Sequence, residues 1–159
     1  MRWAGRPNRR CSEHRLIFRP VRARLPGRSR ELLAPLALQN QRLVYGMLFR
    51  AAAETLLQIA ADPRHLGARL GFLAVLHTWG QNLHSHPHLH CVVPGGGIAP
   101  DRSRWIACRQ QFFFPVKVLS RLFRAKFIAY LKTAFRAGKL SFHGELKSLG
   151  NKRNFSGWL

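Results

Sequence analysis

HTWGQNLHSHPHLHCVVPGGG, residues His77 to Gly97, holds five of the chain's eight histidines: His77, His84, His86, His88 and His90. It follows one apolar run, Leu70 to Leu76, and contains the start of another, Leu89 to Val93, closed by Pro94 and three glycines. Two strands joined by a histidine-rich loop account for this pattern. Side chains on a strand alternate between faces. His88 and His90 therefore share one face, while Leu89 and Cys91 point to the other, into a core. Two imidazoles on one face can share a divalent cation. His86 has the same parity, but Pro87 leaves its geometry open. Spacing alone does not choose the metal. The plainer alternative is a polar loop of solvated histidines.

Working outward, NQRLVYGMLFRAAAETLLQIAAD repeats its apolar residues at helical spacing. Asn40 is the expected N-cap and Asp62-Pro63 the end. Arg50 and Glu54 are four apart and suited to pair. On the other side of the motif, Gly95-Gly96-Gly97 predicts a tight turn that Ile98 to Asp101 continues. Arg104 to Cys108 reads as a third strand, with Phe112 to Phe114 adding core. Pro115 opens a second long helix that runs to about Ala137, before Gly138. Leu119, Leu122, Phe123, Phe127, Tyr130, Leu131 and Ala134 form its apolar stripe. Lys117, Arg121, Arg124, Lys132 and Arg136 fall mostly on the opposite face. Leu140 to Phe142 reads as a short strand, and the last fifteen residues as a partial helix.

The chain has 159 residues, 27 Lys and Arg against 6 Asp and Glu, and a net charge of +21. Such charge self-repels unless a polyanion neutralises it, which points to nucleic acid or an anionic membrane. No apolar run approaches the ~20 residues that span a bilayer, and residues 1–30 lack a signal-peptide core. The expected location is the cytoplasm. Cys11, Cys91 and Cys108 form no CxxC pair, so neither a disulfide framework nor a zinc ribbon is indicated.

Residues 1–30 carry ten arginines, no lysine and one acid, an abrupt shift from the rest. The expected division is an Arg-rich segment, 1–35, disordered or non-native, followed by a folded unit over 36–159. The fold class expected from the residues is α+β, an antiparallel sheet with helices on one side. Trp79 and Trp105 are candidates to stack the bases of single-stranded DNA. Arg64 and Arg69, in the loop after the first long helix, are candidate phosphate contacts.

His88-Leu89-His90 matches the His-hydrophobic-His signature of the HUH endonucleases. The longer string HTWGQNLHSHPHLHCVVPGGG resembles rolling-circle insertion-sequence transposases of the IS-ninety-one type, the two-tyrosine class of that superfamily. The similarity takes in LALQNQRLVYGMLFRAAAETLLQIAADPRHLGARLGFLAVL upstream, and FFFPVKVLSRLFRAKF and FRAGKLSFHGEL downstream. It covers roughly Leu36 to Leu159. The resemblance implies a ferredoxin-like palm that binds single-stranded DNA. His88 and His90 would hold a divalent metal, magnesium or manganese, that polarises the scissile phosphate. Gln81, His84 and His86 are the candidates for a third ligand. In that family a tyrosine hydroxyl attacks phosphorus and leaves a 5′-phosphotyrosyl bond.

Family members also carry an amino-terminal zinc module, a first core strand and downstream nucleophilic tyrosines, none of which is identified in this sequence. Leu16-Ile17-Phe18 is too short and Arg-flanked to stand in for the strand. Tyr45 and Tyr130 do not match the tyrosine motif and read as structural. The expectation is therefore a truncated transposase, with an incomplete palm and doubtful nicking by itself. Two other readings remain: a non-catalytic basic module that binds nucleic acid by charge, and a histidine-rich metal-binding protein.

Overall fold

The computed structural model describes residues 13–18, 33–79, 85–108 and 115–159; the side chains of β1, and those of Trp79, Ser85 and His86, lie outside the description. Ten elements follow one another: β1 (Glu13–Phe18), α1 (Leu33–Gln39), α2 (Gln41–Ala61), β2 (Leu73–Trp79), β3 (Ser85–Pro94), β4 (Gly96–Ile98), β5 (Trp105–Ala107), α3 (Val116–Arg136), a 3-10 helix (Gly144–Gly150) and α4 (Lys152–Trp158).

A three-stranded antiparallel sheet has the order β1-β3-β2. The histidine-bearing strand β3 is therefore central, and its backbone groups are paired on both sides. β1 pairs along β3 from Glu13↔Pro94 to Phe18↔Leu89. Glu13–Phe18 is thus a strand after all, and an edge strand tolerates the short length and flanking arginines that argued against it. β2 pairs with β3 from Leu73↔Val92 to His77↔His88. Beyond that point the next pair is Trp79↔Ser85, so the register slips by one residue. The extra residue falls on β3, in the stretch holding His86 and Pro87. Proline has no N–H for the ladder, which suits it to such a bulge.

Alternation along β3 decides the layering. Leu89, Cys91 and Val93 are fully buried, and join one core with residues of α1, α2 and α3. On the other face, Leu73 and Val75 of β2 are exposed. Helices thus cover one side of the sheet, giving the α+β arrangement expected from the residues.

Helix α2 buries Val44, Met47, Leu48, Ala51, Ala52, Leu56 and Ile59, the stripe its periodicity predicts. It is long and apolar enough to cross a bilayer, unlike anything expected from the runs of sequence, yet half of that window is buried inside the molecule. α3 packs on it through Leu119, Phe123, Phe127, Leu131 and Ala134. Gly138, at φ +62°, ends α3 as foreseen.

Asn40 sits at the N-cap position of α2, but its side chain makes no capping bond. Its amide instead donates to the Ser141 carbonyl at 2.9 Å and accepts from the Ser141 N–H at 2.8 Å. Leu140 to Phe142 is accordingly not a strand; it is an irregular segment held by this side-chain clamp.

The glycine run also differs from expectation. Gly96–Ile98 is a strand that pairs with Trp105–Ala107, and the turn lies further on, where Asp101 accepts from the Ser103 N–H and hydroxyl. Close approach, rather than positive φ, requires the glycines. A Cβ on Gly97 would lie 2.6 Å from the Arg69 carbonyl oxygen. Arg69 and Ile98 exchange both backbone hydrogen bonds there, at 2.7 and 2.9 Å. The Phe112 to Phe114 expectation lies outside the described residues.

Candidate functional site

His88 and His90 share one face of β3, as alternation requires, with ring centroids 4.9 Å apart. His77 on β2 is the direct cross-strand partner of His88. Its ring lies 5.4 Å from that of His88 and stacks on that of His90 at 4.0 Å. The ligand-capable atoms of His77, His88 and His90 all lie within 4.8 Å of one another. His88 is buried, His90 half-buried and His77 exposed, so the cluster is anchored at its base and open at one side.

This geometry fits a metal ion. Nitrogens bound at about 2.1 Å to one ion lie no more than about 4.2 Å apart, so small ring rotations would bring all three onto one cation. The donors are nitrogens with no carboxylate among them, a set that suits transition metals better than magnesium.

Among the described residues, the third member of the cluster is His77. Gln81 and His84 lie outside the described residues, as does the side chain of His86. The sequence did carry a signal for His77. It lies on the strand that pairs with the His88 strand, but the loop length needed to count the register was not readable.

The remaining candidates separate. Arg64 is committed to Asp62, its guanidinium 2.8 Å from the carboxylate, which with the Arg64 backbone N–H holds the Asp62 pKa down to about 2. Arg69 is exposed, at the edge of a cleft beside β2 and β4. Lys117, Arg121, Lys132 and Arg136 are exposed along α3, and Arg124 is half-buried. At 3.6 residues per turn Lys117, Arg121, Lys132 and Arg136 fall within one stripe away from the buried one, with Arg124 at its border. Of Trp79, only the backbone is described. Asp101, an acid near the motif in sequence, is occupied with its own turn.

Both of the chain's tyrosines lie on helices of the covered side. Tyr45 packs partly buried against the core. Tyr130 donates its hydroxyl hydrogen to Glu54, beneath the Arg50 guanidinium, which lies 4.7 Å from its ring centre. Burial first, and the Glu54 bond second, push the Tyr130 pKa up, the opposite of what an activated nucleophile requires. Glu54 also pairs with Arg50 at 2.8 Å and Lys126 at 3.3 Å. The bond from Tyr130, then that from Arg50, lowers its pKa to about 2. Burial raises the Cys91 and Cys108 thiols to about 12 and 11, so both are inert at neutral pH.

Comparisons with known proteins bear on this geometry. In fold, the chain is similar to the conjugative relaxase TRWC, solved with oriT DNA in a copper-bound structure. The TM-score is 0.50 and the identity 15%, over 86% of this chain and 46% of that one. In sequence, it is 62% identical over 129 residues to "Putative transposase y4qJ" of Sinorhizobium fredii, covering 81% of this chain and 32% of the relative. It is 40% identical over 68 residues to the transposase for insertion sequence element IS801 of Pseudomonas savastanoi pv. phaseolicola, covering 43% of this chain and 16% of the relative. The chain thus spans a third or less of the length of these curated relatives. The family model Y2_Tnp, described as "Putative transposase", matches residues 71–159, from before β2 to the last residue and so through all three clustered histidines. On that match, more than half its length, the chain belongs to the Y2_Tnp transposase family.

Proposed function

We propose that this chain is the metal-binding palm of a transposase that acts on single-stranded DNA. One observation carries the reading: three imidazoles from two paired strands converge on the face of the sheet opposite the helical core. His77, His88 and His90 would hold a divalent cation, magnesium or manganese by the family resemblance, with imidazole donors that also suit the later transition metals. The bound cation would supply charge that polarises a DNA phosphate.

The chain's own residues do the positioning. Leu89 and Cys91, locked in the core, fix the rotation of β3 and so the direction of the rings. The α3 stripe of Lys117, Arg121, Arg124, Lys132 and Arg136 is suited to a phosphate backbone, with the salt dependence that counterion release brings. Neither Tyr45 nor Tyr130 is placed or activated to attack phosphorus, so a phosphotyrosine step would draw its hydroxyl from a residue other than these two. A nucleic-acid substrate of this kind would be met in the bacterial cytoplasm.

The test is manganese binding by electron paramagnetic resonance, together with single-stranded DNA binding over a salt series. One manganese per chain, lost in a His77→Ala/His88→Ala/His90→Ala variant that still binds DNA, supports the reading. Equal manganese binding by that variant overturns the metal site. Salt-independent or absent DNA binding overturns the substrate.

A further inference from the structure

The histidine face of the sheet does not stop at His90. Val75 pairs with His90, and the next pair on the same face is Leu73↔Val92, about 7 Å further along the strands. There the face opens into a cleft of about 420 Å³, lined by Arg69, Gly71, Leu73, Val92, Ile98 and Trp105, with Phe72 and Pro94. Leu73, Ile98 and Trp105 are 63%, 48% and 56% exposed, an unusual amount of bare apolar surface for a chain of net charge +21.

Trp105 is presented, not merely exposed. A Cβ on Gly96 would lie 2.6 Å from its Nε1, so the indole rests against the bare backbone of β4 while the rest of the ring stays open. Arg69 is the charged residue among the described lining residues, and its backbone is fixed by the double hydrogen bond to Ile98. An aromatic plane and a guanidinium on an apolar floor are the elements that take an unpaired nucleobase and its phosphate.

We infer that this cleft binds a base of single-stranded DNA, stacked on Trp105 with its phosphate on Arg69, beside the nucleotide presented to the histidines. The inference rests on the DNA-palm reading above but assigns a separate set of residues. Stacking holds the strand by a π-face that every base offers, so the cleft grips without reading sequence.

The test uses the 159-residue chain and a fluorescent oligonucleotide, either intact or carrying abasic sites. Trp105→Ala weakens binding of the intact strand about tenfold, while Trp105→Phe recovers most of the affinity. The abasic strand binds wild type and Trp105→Ala alike. Gly71→Phe fills the cleft with little strain, since a Cβ there meets nothing within 4 Å, and weakens binding in the same way. Arg69→Gln lowers the salt slope by about one phosphate contact. Manganese binding stays unchanged in all four variants.

Equal affinity of wild type and Trp105→Ala for the intact strand overturns the cleft alone, leaving the histidine site standing. An equal loss on intact and abasic strands also overturns it. Loss of self-association in Trp105→Ala with unchanged DNA affinity reassigns the face to an interface between copies, and overturns it too. If wild type binds no single-stranded DNA, the palm reading and the cleft fall together.

Discussion

The two faces of the central sheet obey different rules. On the helical side, several polar groups answer one another: Glu54 takes Tyr130, Arg50 and Lys126, and Asn40 takes Ser141. Leu89, Cys91 and Val93 meet an apolar core. On the other side, three histidines gather with Val75 and Leu73 bare beside them. Imidazoles gathered from two strands onto one spot are suited to take a cation from outside. The difference teaches that the same strand can spend its odd residues on stability and its even residues on chemistry. Substitutions one residue apart then report on different things.

The sharpest break of this contrast compares neighbours. Leu89→Ala, which empties a fully buried site, is expected to cost about 2–5 kcal/mol of unfolding free energy, measured by urea denaturation. His90→Ala, the next residue, should leave the urea midpoint nearly unchanged. It should instead lower manganese affinity about a hundredfold or more, since even groups behind a ligand are worth 10–100-fold. If both variants lose stability equally, the faces are not divided as described.

Asn40→Ala, which leaves Ser141 without its two partners, should cost about 1–3 kcal/mol, again by urea, with manganese affinity intact. That outcome keeps the clamp on the stability side of the comparison.

Acid gives the smallest effect. Glu54 and Asp62 titrate near 2 in the folded chain, below the ordinary 4.5 and 3.8. Depressed carboxylate values mean that their stabilisation is complete above the ordinary values and is lost as pH falls toward 2. Both groups are half-buried, so solvent screens part of the effect. Glu54→Gln should flatten the acid limb of a thermal-melting series between pH 4.5 and pH 2, leaving the midpoint at pH 7 slightly lower. An unchanged acid limb removes Glu54 from the interhelical link.

Much of this division was legible. The periodicities of α2 and α3 located both helices, including the break at Gly138, because long amphipathic repeats carry their own register. Alternation placed His88 and His90 together and Leu89 and Cys91 in the core. His77 was missed because its partnership is set across strands, through a loop and a bulge whose residue count no local pattern reveals. Gly96 and Gly97 were read as a turn because glycine's freedom is written in its type. Its use as a gap for Trp105 and for the Arg69 backbone depends on neighbours that arrive from elsewhere. Asn40 looked like a cap for the helix it begins, and its amide went to a residue 101 positions away. Leu16-Ile17-Phe18 was discounted for its shortness and flanking arginines, which an edge strand accommodates.

That long reach from Asn40 has an evolutionary corollary. The stretch matched by the family model begins at residue 71, yet the irregular segment at Ser141 is fastened to a side chain thirty-one positions upstream of that boundary. A gene rearrangement that transplanted only the matched stretch would leave behind both this fastening and the helix roofing the sheet. Heritable shuffling of this fold should therefore preserve cuts that fall ahead of Glu13, and lose lineages cut between Glu13 and Ser141.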